Sequence, residues 1–119
     1  MKLPTRLTIA GREFVVQVVR SRTKANGGRA SWGKQVITLY WHNHTTVYEV
    51  LDTLYHECVE MWAHGRSKHY TNGDRVIVLI DHEDLREFCG LFPQLFAAIN
   101  NANGGAIDTT AAFQYEEPD

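Results

Sequence analysis

The chain holds little that could staple or stiffen it. It has only two cysteines and three prolines in 119 residues. Two thiols do not make a disulfide framework. Cys58 and Cys89 both fall at apolar-periodic positions of expected helices. They read as free buried thiols of a reducing cytoplasm. No charge of one sign prevails: 14 acids face 12 lysines and arginines, for a net charge of −2. That balance demands neither a nucleic acid nor a membrane as partner. Long apolar runs are missing too. VIVLI at 76–80 is far below a transmembrane span. Pro4 and the charges at 6, 12 and 13 leave no room for a secretory apolar segment. There are no repeats and no low-complexity tracts.

What is present is an ordinary globular mixture, 44% hydrophobic and 22% charged, of a length that suits one domain with a modest core. RLTIAGREFVVQVV reads as a hairpin, with β-rich runs at 6–9 and 13–19 flanking Ala10 and Gly11. The following SRTKANGGRASWGK is basic, rich in Gly and Asn, and without periodicity, so it reads as an exposed loop. VITLYW at 36–41 is a third strand, and RVIVLI at 75–80 a fourth. Residues after Asn103 are Gly-rich, then acidic, and read as a loose tail.

Two helices complete the pattern. Thr46 and Glu49 are spaced for a capping box, in which each side chain satisfies a backbone N–H of the other's segment. Val47, Val50, Leu51, Leu54, Cys58, Met61 and Trp62 then recur at helical spacing, and Gly65 ends the run. Asp81 caps the second helix, whose expected apolar face is Leu85, Phe88, Cys89, Phe92, Leu95, Phe96 and Ile99. Gly90 and Pro93 are expected to kink or split it.

The first helix carries HECVE, residues 56–60, one residue away from the His-Glu-x-x-His signature of zinc peptidases. At about 100° per residue, His56 and Glu60 stand one turn apart on the face away from the apolar stripe. One cation could bridge them, and Glu57 borders the same point. This spacing suits metal-assisted hydrolysis, with two ligands and a carboxylate able to take a proton from water. The competing reading is a solvated helix face, because a His–Glu pair four residues apart is common without a metal. A third ligand must come from elsewhere. His64 lies about 12 Å along the axis from His56, too far to share one ion. The cluster Asp81-His82-Glu83-Asp84 is better placed, although acids in a first helical turn also complement the helix dipole.

Other candidates weigh less. His42 and His44 in WHNHTT read as surface loop residues before a helix cap. Arg20, Arg22, Lys24, Arg29 and Lys34 read as a solvated basic loop, and no nucleic-acid partner is expected. The three tryptophans read as packing residues, with Trp41 placed where it could line a cleft.

Taken in order, hairpin, loop, strand, the TLYHECVEMW helix and a second helix opening HEDLREFCGLFPQL resemble the small phage-type minimal zincins over roughly residues 7–100. The resemblance implies an α+β fold: an antiparallel or mixed sheet of about three to four strands on a long metal-site helix and a second C-terminal helix. It implies one domain over 1–103 with a tail at 104–119. It implies His56 as first ligand, Glu57 as general base, Glu60 in place of the second His, and Glu83 as third ligand. The metal implied is Zn2+, with Mn2+ or Fe2+ also suited to one imidazole and two carboxylates. The partner implied is an extended peptide or protein segment along strand 36–41. Two functions remain open. One is a phage or prophage metal-dependent peptidase in the host cytoplasm. The other is an inactive zincin-like module that docks on or inhibits a host protein.

Overall fold

The computed structural model describes residues 1–20 and 27–118, with the backbone alone at Val76. The fold is α+β: a four-stranded mixed sheet, a separate two-stranded hairpin and two long helices. Strands β1 (Arg6–Ile9) and β2 (Arg12–Val19) form the first hairpin, with Ile9 opposite Arg12. Ala10 and Gly11 both have positive φ, at 51° and 78°. Two such residues give the turn whose twist matches the strands it joins.

The stretch expected to be a loop contains a strand, β3 (Gly28–Ser31). It pairs antiparallel with β4 (Val36–Tyr40), which in turn pairs parallel with β2, so the sheet order is β1-β2-β4-β3. Gly28 explains why so unpromising a sequence forms a strand here. A Cβ at Gly28 would lie 2.8 Å from the Thr38 carbonyl oxygen and 2.9 Å from the Thr53 methyl. Only glycine lets the backbone come in so close. Strand 36–41 is therefore internal, paired on both sides, which accounts for its apolar character on both faces. It offers no free edge to a peptide. Among the described residues the edges of the sheet are β1 and β3, and the one beside β4 is β3.

Helix α1 (Val47–Gly65) packs on the inner face of the sheet, burying Val50, Leu54 and Cys58 against Phe14, Ile37 and Leu39. Its capping box is formed as expected: the Glu49 N–H donates to Thr46 Oγ1 at 3.2 Å, and the Thr46 N–H to Glu49 Oε2 at 3.3 Å. A second hairpin follows, β5 (His69–Asn72) and β6 (Arg75–Val78), turning at Gly73. The expected fourth strand thus belongs to its own small sheet. Helix α2 (His82–Ala102) runs unbroken through Gly90 and Pro93, with Asp81 and Asp84 forming its capping box. Its buried row is Leu91, Leu95 and Ile99, while Leu85, Cys89 and Phe96 are exposed. Of the two thiols only Cys58 is buried, and burial pushes it up to about 12. None of the helices among the described residues is long and apolar enough to cross a membrane.

Residues 104–118 are tied down rather than loose. Phe113 is buried, the Val47 and Tyr48 N–H groups donate to the carbonyls of Ala111 and Thr109, and the Glu116 N–H donates to that of Met1.

Candidate metal centre

The HECVE turn lies in the second half of α1, on the flank that faces β3. His56 Nε2 and Glu60 Oε1 stand 3.1 Å apart, one turn from each other, with the His56 side chain 66% exposed. Glu57 points inward and is only 6% exposed. One ligand atom from each of His56, Glu57 and Glu60 lies within 4.8 Å of the others. Burial, and then the charge of Glu60, push the Glu57 carboxyl up to about 7, against a smaller opposing pull from His56. A carboxyl poised there can exchange a proton near neutral pH.

These side chains line one wall of a cleft of about 520 Å³. The opposite wall is Gly27, Gly28, Arg29 and Ala30, the backbone of the edge strand. His44 holds the two walls in register. It is buried, contrary to its reading as a surface loop residue. Its Nδ1 lies 2.8 Å from the Tyr40 carbonyl, and its Nε2 lies 2.8 Å from Thr53 Oγ1 on α1. A carbonyl only accepts, so Nδ1 carries the proton, and in the neutral ring Nε2 accepts from the Thr53 hydroxyl. Desolvation lowers the His44 pKa below its usual value, partly offset by the Tyr40 carbonyl. Only the side-chain chemistry of HNHTT was visible in the sequence; the half-buried partner nine residues on, Thr53, was not.

Glu83 does not join the cluster. It lines a different cleft with Trp62, Arg66 and Glu87. The reason is the way α2 docks. Trp62 Nε1 donates to Glu87 Oε1 at 3.2 Å, Arg66 pairs with the same carboxylate, and Lys68 pairs with Asp84 at 3.0 Å. These contacts seat the first turns of α2 beside Trp62, more than about 100° round α1 from His56 and Glu60. The second carboxylate beside His56 is Glu57 instead. His82 is exposed on the turn that carries Glu83. His64 stacks on His69 and on Trp32, with centroids 4.7 and 5.2 Å away, in a ladder continued by Arg12 over Trp32. His42 stacks on Trp41. Trp41 itself packs on Phe113 and Tyr115 of the tail rather than on a substrate cleft.

The basic loop is dispersed. Arg20 pairs with Glu117 and lies over Trp41, Arg29 reaches the cleft wall, and Arg22 and Lys24 lie outside the described residues.

His56 and Glu60 stand at hydrogen-bonding distance from each other, and the same spacing would let them share one metal ion. Two zinc ligands at about 2.0–2.1 Å and a tetrahedral angle lie about 3.3 Å apart, close to the 3.1 Å seen. The donor set of one imidazole and two carboxylates does not select one metal. Compared with known proteins, the chain matches no family model, no curated protein and no solved structure.

Proposed function

We propose that the protein is a minimal zincin-like protein of phage type. It binds a divalent cation on His56 and Glu60 and uses Glu57 as proton acceptor in peptide hydrolysis. The observation that carries this reading is the convergence of the three HECVE side chains on one point of a cleft walled by an edge strand. A cation bound there would supply Lewis acidity to a carbonyl. The chain supplies the rest. Glu57, buried and held near neutrality in its proton affinity, takes a proton from the attacking water and returns it to the leaving amine. The free side of β3 offers backbone N–H and C=O groups along which an extended peptide adds as a further strand. The glycines at 27 and 28 leave the first part of that wall without side chains, ahead of Arg29 and Ala30.

A second reading is a binding module that keeps the cation and has given up turnover. Glu60 favours it: an anionic ligand leaves a bound cation less electrophilic than an imidazole does.

Metal content after dialysis against zinc, thermal stability with and without zinc, and cleavage of an unstructured peptide test both readings. Zinc binds at about one per chain and raises the melting temperature. His56→Ala loses both effects, and Glu57→Gln keeps the metal while losing cleavage. Uptake without cleavage in the wild type leaves the binding module. The absence of both uptake and stabilisation would overturn both readings.

A further inference from the structure

A cavity larger than the cleft at HECVE lies elsewhere on α1. It is a groove of about 780 Å³ between the first half of α1 and the second half of α2. The two helices run in opposite senses, Tyr55 meeting Phe92 and Trp62 meeting Phe88 edge to face. Tyr48 to Tyr55 on one side and Phe92 to Asn100 on the other span about 10–12 Å at 1.5 Å per residue. Thr109 of the tail closes one end, fixed by the Tyr48 N–H to its carbonyl at 2.9 Å. Three segments of the chain thus build the site. Its size and mainly apolar walls are those of small-molecule pockets.

Two buried polar atoms in this apolar lining lack hydrogen-bond partners, and an exposed carboxylate stands beside them. The Tyr55 hydroxyl and Asn100 Oδ1 are buried with no hydrogen bond, an arrangement that costs stability and asks for an explanation. Asp52, the one charged residue of the lining, has no ion pair among the described residues. The carbonyl and the carboxylate only accept, and the phenol can accept as well. What they lack is a donor, and the charge they favour is positive. Large apolar side chains stand open beside them, Tyr48 at 65% and Phe96 at 43% exposed.

We infer that this groove is a ligand site, separate from the cation cleft, for an amphiphilic amine whose apolar body lies between Tyr48, Phe92 and Phe96. Its protonated nitrogen faces Asp52, with Tyr55 and Asn100 as further acceptors. Asp52 borders both this groove and the cation cleft, whereas the rest of the groove's lining is distinct from His56, Glu57 and Glu60, so the site is tested with no added metal.

Fluorescence titration with dansylcadaverine, a cationic naphthalene amine, tests the site, with the dansyl derivative of 6-aminohexanoic acid as anionic counterpart. The cationic probe binds saturably, one per chain, and roughly three- to tenfold more tightly than the anionic one, the range a single charge contact supplies. Asp52→Asn removes that preference. Ala97→Phe, placed at an exposed position of the lining, fills the groove and abolishes uptake of both probes. His56→Ala binds the probe as the wild type does, which separates this site from the fate of the cation reading. Non-saturable uptake, equal affinity for the two probes, or undiminished binding in a folded Ala97→Phe variant would overturn the assignment. So would a dimer in sedimentation that Ala97→Phe dissociates, since the groove would then belong to a second copy of the chain.

Discussion

Gly27 and His44 approach so closely that a Cβ on Gly27 would lie 2.5 Å from His44 Nε2 and 2.8 Å from Thr53 Oγ1. The start of β3, the buried imidazole and α1 therefore meet at one point, and that point sets the width of the cleft. Gly27→Ala is expected to cost about 1–3 kcal/mol, the usual penalty of overpacking. Gly28→Ala should cost more, because its nearest obstacle is a backbone carbonyl that cannot rotate aside. Urea unfolding of the two variants checks the order.

His44 gives the fold a pH dependence of definite sign. Burial lowers its pKa in the folded chain below the usual 6.5, with Glu49 and the Tyr40 carbonyl opposing. The unfolded chain then binds the proton more readily. The contribution is complete above about pH 6.5 and is lost as the pH falls through that value towards the folded pKa. Glu57, pushed up to about 7, gains a proton in the folded chain and works in the opposite sense over the same range. The His44 part is therefore read as a difference: between pH 7.5 and 5.5 the urea midpoint of His44→Gln should rise more, or fall less, than that of the wild type. An unchanged slope in the variant would assign the effect to other groups.

Thr46→Ala removes the acceptor for the Glu49 N–H at the head of α1. About 1 kcal/mol should be lost, as for other cap deletions. Thr46→Ser should recover most of it. Thermal melts compared at one pH decide this.

The two thiols differ in access. Cys58 is fully buried, and Cys89 is exposed. Iodoacetamide should label one cysteine per folded chain, at 89, and both in denaturant, read by intact mass and peptide mapping.

Glu60→His exchanges an anionic ligand for a neutral imidazole and relieves its repulsion with Glu57, which raises the Glu57 pKa. Zinc should bind at least as tightly as to the wild type, by about tenfold if one coordinate bond improves by about 1.4 kcal/mol. Competition with a chromophoric chelator measures it. Zinc affinity left unchanged by both Glu60→His and Glu60→Ala would show that Glu60 is not a ligand.

Local signals were the legible ones. The capping box, the seven-residue stripe and the Ala-Gly turn are written in contiguous residues, and helix α1 and the first hairpin follow them. Gly28-Arg29-Ala30-Ser31 carries no β-branched or aromatic residue, so its strand character comes wholly from β4 and from space that only a glycine leaves beside Thr53. The apolar face of α2 was misplaced for a similar reason. Phe88 and Phe92 turn to meet Trp62 and Tyr55, and the helix rests on the Leu91–Leu95–Ile99 row. That rotation also decides the site. His56, Glu57 and Glu60 could be grouped from their spacing on one helix. Glu83 required knowing how a second helix docks, and Lys68, Arg66 and Glu87 settle that through contacts no periodicity reveals.

The hydrogen bonds that join Met1 to the last residues have a topological consequence. The Met1 amino group donates to the Gln114 carbonyl at 2.6 Å, and the Glu116 N–H donates to the Met1 carbonyl at 2.9 Å. Residues 1 and 116 are thus already neighbours, and the backbone is nearly a closed ring. A short covalent splice between them would cost little loop entropy. The ring could then be cut at the exposed Gly73 turn, leaving every strand pair and both helices whole. Such a rearranged chain would carry its free ends at the hairpin that follows α1 while keeping the same architecture.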